Sequence, residues 1–100
     1  MGRVAIVVEF TLKPGQHAAF DRVIREHARL PLEEEPGCER FDVLQPVGRG
    51  GAPDHSRVLL CEVYRDQAAV DEHGRNPRLA KVRDAYAPMI VDRRLTLCAM

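Results

Sequence analysis

Two histidines and one carboxylate–phenol pair are the residues of this chain best suited to move a proton. Imidazole changes charge between about pH 5 and 8, so a histidine turned toward an apolar interior is a ready base or acid. His27 continues the apolar spacing of Phe20, Val23, Ile24 and Leu30 and so lies on the inward stripe of a helix. His73 stands beside Ala69 and Val70 on the inner face of a shorter helix. Glu62 and Tyr64 are two residues apart in a β-branched and aliphatic run, so they share one face of a strand. A carboxylate there must be paired or must look into a solvated cavity, because an isolated buried charge is too costly. Two of these have a structural alternative. His27 could bond a backbone carbonyl, and Glu62 could sit on an exposed rim or pair with Arg40 or Arg65. Arg40 and Asp42 share a face of a second strand and read first as partners of each other or of their neighbours. His17 and His55 are expected to be exposed.

Several chemistries are disfavoured by the same inspection. There is no HExxH, no H-x-x-x-H and no acidic cluster, so no metal site is expected. No GxGxxG suggests a dinucleotide. The glycines of Val47 to Ser56 precede no helix start and resemble no phosphate loop. Cys38, Cys61 and Cys98 are odd in number and far apart, and they read as reduced thiols of a cytoplasmic protein. Lys and Arg total 15 and Asp and Glu total 15, a zero formal charge that speaks against nucleic acid as partner. The first apolar run, Val4 to Val8, is too short for a signal peptide or a membrane span.

The positioning elements follow from periodicity. Val4 to Leu12 predicts a strand, with Lys13-Pro14-Gly15 as its stop. The helix carrying His27 is expected to weaken or end at Pro31. Glu35-Pro36-Gly37 predicts a turn, Cys38 to Gln45 a second strand, and Val47 to Ser56 a flexible loop. Arg57 to Tyr64 predicts a third strand. Asp66 and Asn76-Pro77 are start signals for two consecutive helices, the second carrying Leu79, Val82 and Tyr86 and ending at Pro88. Leu95 to Cys98 alternates as a last strand. The order β-α-β-β-α-β, with its second helix broken, is the ferredoxin-like pattern of an α+β domain over residues 1–100. It predicts a four-stranded antiparallel sheet with helices on one face. The third strand offers Leu59, Cys61 and Val63 to one face and Val58 and Leu60 to the other, so the bare face is apolar too and two copies could bury it as a dimeric α+β barrel.

The stretches Glu35-Pro36-Gly37-Cys38, Phe41-Asp42-Val43-Leu44, Glu62-Val63-Tyr64-Arg65-Asp66 and Ala68-Ala69-Val70 with His73 resemble the antibiotic biosynthesis monooxygenase family. The resemblance extends over nearly the whole chain. It implies a dimeric ferredoxin-like barrel and oxidation of quinols or polycyclic phenols without metal, flavin or haem. Arg40 to Leu44, the Ala68 to His73 stretch and Ala87-Pro88-Met89 also resemble the family's branch that isomerises phosphorylated autoinducer-2. Two departures stand out. Where the family often has a second histidine five residues after the first, this chain has Arg78. Where many members have asparagine in the first helix, it has His27. It has no tryptophan of the kind that haem-degrading members use.

The expected activity is therefore cofactor-free oxidation of a quinol or related phenol by dioxygen. His73, His27, Tyr64 and Glu62 form the catalytic set, and Arg40, Phe41, Asp42, Arg78 and Tyr86 bind substrate. His73 or His27 would serve as base, Tyr64 and Arg40 would steady an oxyanion, and Glu62 would orient a histidine. An isomerase using the same base, with Arg78 and Arg40 as an anion clamp, and a non-catalytic small-molecule binder are the alternatives.

Overall fold

The computed structural model describes residues 2–100. The chain forms strand β1 (Val4–Leu12), helix α1 (His17–Glu34), strands β2 (Cys38–Leu44) and β3 (Arg57–Tyr64), and helices α2 (Gln67–Arg75) and α3 (Pro77–Tyr86). A 3-10 turn (Ala87–Met89) then leads into strand β4 (Ile90–Ala99). The four strands make one antiparallel sheet in the order β2-β3-β1-β4. This is the ferredoxin-like α+β arrangement that the element order predicted.

Alternation decides the two faces of the sheet. Ile6, Val8, Phe10 and Leu12 of β1 and Val58, Leu60, Glu62 and Tyr64 of β3 point under the helices and are buried. Leu59, Cys61 and Val63 lie on the opposite face, which no helix covers, and remain half-buried. On α1 the buried positions are Phe20, Ile24, His27, Ala28 and Pro31, one stripe laid on the sheet.

Pro31 does not end α1. The helix runs through it to Glu34, and the Glu35 amide still bonds the Pro31 carbonyl at 2.9 Å. An interior proline costs about 3 kcal/mol because it has no N–H to donate and its ring crowds the preceding turn. Pro31 is under 2% exposed, and the burial of its ring in the core offsets that cost. β4 is also longer than its alternating tract, because pairing with β1 recruits Ile90 to Arg94. The Val47 to Ser56 loop is tied by a Val47–Pro53 bridge and a Gly48 amide to Ala52 carbonyl bond of 2.8 Å, with Gly51 at φ +89°.

The starts of α2 and α3 are capped as expected. Asp66 Oδ1 accepts from the Ala69 amide at 2.9 Å, and Asn76 Oδ1 accepts from the Arg78 amide at 3.0 Å, with Pro77 in the first turn. Gly37 sets how closely α2 approaches. A Cβ at Gly37 would lie 2.4 Å from the Ala69 Cβ, so only a hydrogen fits there. The Gly37 carbonyl accepts from the Arg65 amide at 2.9 Å in the same contact. The absence of a side chain at Gly37 thus places α2, and with it His73.

Candidate active site

Between the inner sheet face and the helices lies a cavity of about 240 Å³. Ile6, Val8, Ile24, Phe41, Leu60 and Val82 supply apolar wall, and Tyr86 lines it together with Phe10. Its polar groups are His27 from α1, Glu62 from β3, His73 from α2, Arg83 from α3 and Arg93 from β4. Such a small, mainly apolar space with a few convergent polar groups is what a small-molecule site requires.

Glu62, His73 and His27 gather at one pole, and Arg93 stands further along β1, opposite Phe10. Tyr64 Oη donates to Glu62 Oε1 at 2.8 Å, and His73 Nε2 lies 3.7 Å from the same oxygen. His73 Nδ1 meets Glu35 Oε1 at 2.8 Å. The His73 ring stands 5.1 Å from that of Tyr64, 6.2 Å from Phe41 and 6.4 Å from His27, centroid to centroid. Glu62, His73 and His27 are 4%, 7% and 8% exposed, so all three exchange water for protein surroundings. Burial pushes the Glu62 carboxyl above its ordinary range, against the opposing pull of the Tyr64 hydroxyl and the nearby His73. Burial first, and then the Glu62 charge, pushes the Tyr64 phenol up. Burial also pushes the Cys38 thiol up to about 11, which leaves it protonated and a poor nucleophile.

His27 behaves differently. Burial, reinforced by His73 and Arg78, holds its pKa at about 4, against the pull of Glu35, so His27 is neutral near pH 7. The unfolded chain protonates this residue near pH 6.5, whereas the folded chain resists until about 4. Over that interval the unfolded state binds more protons, so His27 destabilises the fold as pH drops. The total is roughly 2 kcal/mol once water reaching the cavity wall is allowed for. Melting temperatures of the wild type and His27→Gln between about pH 7 and 4.5 check this, with a steeper loss expected in the wild type. Parallel curves would mean that His27 titrates freely in the fold.

Other residues singled out in the sequence stand elsewhere. Arg40 and Asp42 do not line the cavity. A bulge between Cys38 and Arg40 turns Cys38 and Phe41 inward and leaves Arg40 and Asp42 outside, bonded to each other. Glu62 therefore pairs with neither Arg40 nor Arg65, and Arg65 lies exposed, 3.8 Å from Asp66. Arg78 also misses this cavity, because Glu34 and Glu35 hold its guanidinium. The Tyr64 hydroxyl is spent on Glu62, and the residue stands behind the wall with no exposed surface. His17 is half-buried rather than exposed. Its Nε2 lies 2.6 Å from Gln45 Oε1, and its ring stacks on that of His55 at 4.3 Å.

Arg93, which no motif in the sequence singles out, also lines the cavity. Register decides its direction: Phe10 pairs with Arg93, Val8 with Leu95 and Ile6 with Leu97. All three β4 residues thus face the cavity, and the alternation of Arg93 with Leu95 and Leu97 was the available signal. The Arg93 Nε is buried without a hydrogen-bond partner among the described residues.

Known proteins share this architecture. An antibiotic biosynthesis monooxygenase family structure from Nitrosomonas europaea superposes with a TM-score of 0.85 at 24% identity, covering 100% of this chain and 92% of its own. One from Caulobacter crescentus CB15 gives 0.88 at 18% identity, covering 99% and 90%. In sequence, Rv0793 of Mycobacterium tuberculosis, a protein with a provisional monooxygenase name, is 28% identical over 80 residues, spanning 80% of this chain and 72% of that one. Residues 3–85 match the antibiotic biosynthesis monooxygenase family as a whole, and the chain belongs to that family.

Proposed function

We propose that this protein is a monooxygenase that oxidises a quinol or a related phenol with dioxygen and no bound cofactor. The observation that carries the reading is the cavity itself: apolar walls, an imidazole at one pole and an arginine on the same lining. A quinol becomes a reductant of dioxygen when it loses a hydroxyl proton. His73 Nε2 is the group placed to take that proton, and Arg93 and Arg83 favour the oxyanion left behind. The anion passes electrons to dioxygen and a ring carbon gains a C–O bond. One oxygen atom stays on that carbon, and the other leaves as water with the protons released. The quinol loses four electrons, two in becoming a quinone and two in exchanging C–H for C–O, and dioxygen accepts all four.

The test is dioxygen uptake by chelator-treated protein over a panel of quinols, with labelled dioxygen tracing the new oxygen atom. Uptake with one labelled atom in the product is expected. Absence of uptake across the panel would overturn the reading, and product formed under strict anaerobiosis would point to isomerisation. The working unit of this proposal is a homodimer joined through the uncovered face that carries Leu59, Cys61 and Val63. A related ferredoxin-like structure from Bacteroides fragilis, TM-score 0.79 at 12% identity, is described as dimeric. Sedimentation giving a single-chain mass at working concentration would refute the dimer.

A further inference from the structure

We infer that Glu35, held by Arg78, is the positioning residue that fixes the tautomer of His73. Glu35 follows α1, His73 lies on α2 and Arg78 opens α3, so three separate elements meet at one carboxylate. Glu35 Oε1 lies 2.8 Å from His73 Nδ1, and Glu35 Oε2 accepts from Arg78 Nη2 at 2.7 Å. The other arm of the guanidinium, Nη1, donates to Glu34. The His73 and Glu35 side chains are 8% and 15% exposed, so bulk water competes little for this bond.

The donor and acceptor inventory leaves one solution. Arg78 only donates, and it pairs with Glu35 as an ionised carboxylate, whose two oxygens can only accept. Nδ1 opposite Oε1 must therefore carry the hydrogen, and Nε2 is left with a bare lone pair. Nε2 is the nitrogen on the Glu62 side, 3.7 Å from its Oε1, where His73 lines the cavity. A proton taken there creates an imidazolium flanked by the Glu35 and Glu62 carboxyl groups, with Tyr64 donating to the latter. His27, 6.4 Å away by ring centroid, is the remaining titratable ring that faces it. The arginine at position 78 thus takes part in the site through Glu35 and not through substrate.

The inference rests on the proposed proton transfer only for what Nε2 accepts; the tautomer is measured without turnover. Long-range proton–nitrogen correlation spectra of histidine-labelled protein, recorded where His73 is neutral, read which ring nitrogen bears hydrogen. The wild type is expected to show Nδ1–H. In Glu35→Gln, Arg78 claims the amide carbonyl and turns the amide N–H toward Nδ1, so the hydrogen moves to Nε2. Glu35→Leu removes the acceptor altogether and is expected to shift the ring the same way, while Glu35→Asp keeps the wild-type tautomer. With an oxidisable quinol, Glu35→Gln is expected to lower kcat about 10–100-fold with KM little changed. A wild-type His73 protonated on Nε2, or an Nδ1–H tautomer retained in both folded Gln and Leu variants, overturns the inference. A tautomer shift in a wild-type protein that takes up no dioxygen sustains the positioning role and sinks the oxygenase reading alone.

Discussion

The His73→Ala variant is expected to lose dioxygen uptake by about 100- to 10,000-fold, the usual worth of a positioned general acid–base group. The size of the effect follows from what else lies in the cavity. His27 is the other imidazole there, but burial and neighbouring cations hold it near pKa 4, which makes it a weak base at neutral pH. Glu62 is buried beside His73, and its hydroxyl partner is already Tyr64. Among the described lining residues, none besides His27 and Glu62 offers an imidazole or carboxylate that could stand in for His73. Some stability is lost as well, about 1–3 kcal/mol, because Glu35 Oε1 is left without its buried partner. The comparison is uptake by both proteins at matched concentration, with melting curves as the folding control. Equal uptake would mean that the substrate oxidises without the enzyme or that a different base operates.

Phe20→Ala should give the largest loss of stability. Phe20 has no exposed surface, and its ring lies 4.8 Å from Phe10 and 5.7 Å from Tyr86, while Phe10 and Tyr86 meet edge to face at 5.2 Å. These three rings pin α1 and α3 to β1 beside the cavity. Truncating a buried phenylalanine costs about 3–5 kcal/mol through lost transfer energy and the void left behind. A domain of this size has about 5–15 kcal/mol in total, so the variant stands close to unfolding. The urea midpoint should fall sharply with an unchanged slope. A loss below about 1 kcal/mol would mean that the ring cluster relaxes to fill the void. Because Phe10 and Tyr86 line the cavity, any surviving folded protein should also bind substrate less tightly.

Much of the fold was legible because hydrophobic period reports a local property, which face of its own element a residue occupies. The helical spacing put His27 on the inward stripe of α1, and strand alternation put Glu62 with Tyr64. Asp66 and Asn76-Pro77 marked helix starts by chemistry that acts within three residues. Proline at 31 misled for the same reason. Its penalty is local, whereas the burial that outweighs it comes from the sheet beneath.

Non-local pairing decided the rest. The bulge at Cys38/Arg40 rotated Arg40 and Asp42 out of the cavity, and the pairing of Phe10 with Arg93 rotated Arg93 into it. Arg78 and Glu35 are 43 residues apart, and nothing in either neighbourhood announces their contact. Composition and period thus pointed to an α+β ferredoxin-like chain with two inward histidines, and left open whether Glu62 is buried or lies on a rim. Which cations face the cavity, and which carboxylate orients His73, were settled when strands found their register and three helix ends converged. Those choices depend on partners far along the chain, and local pattern carries no record of them.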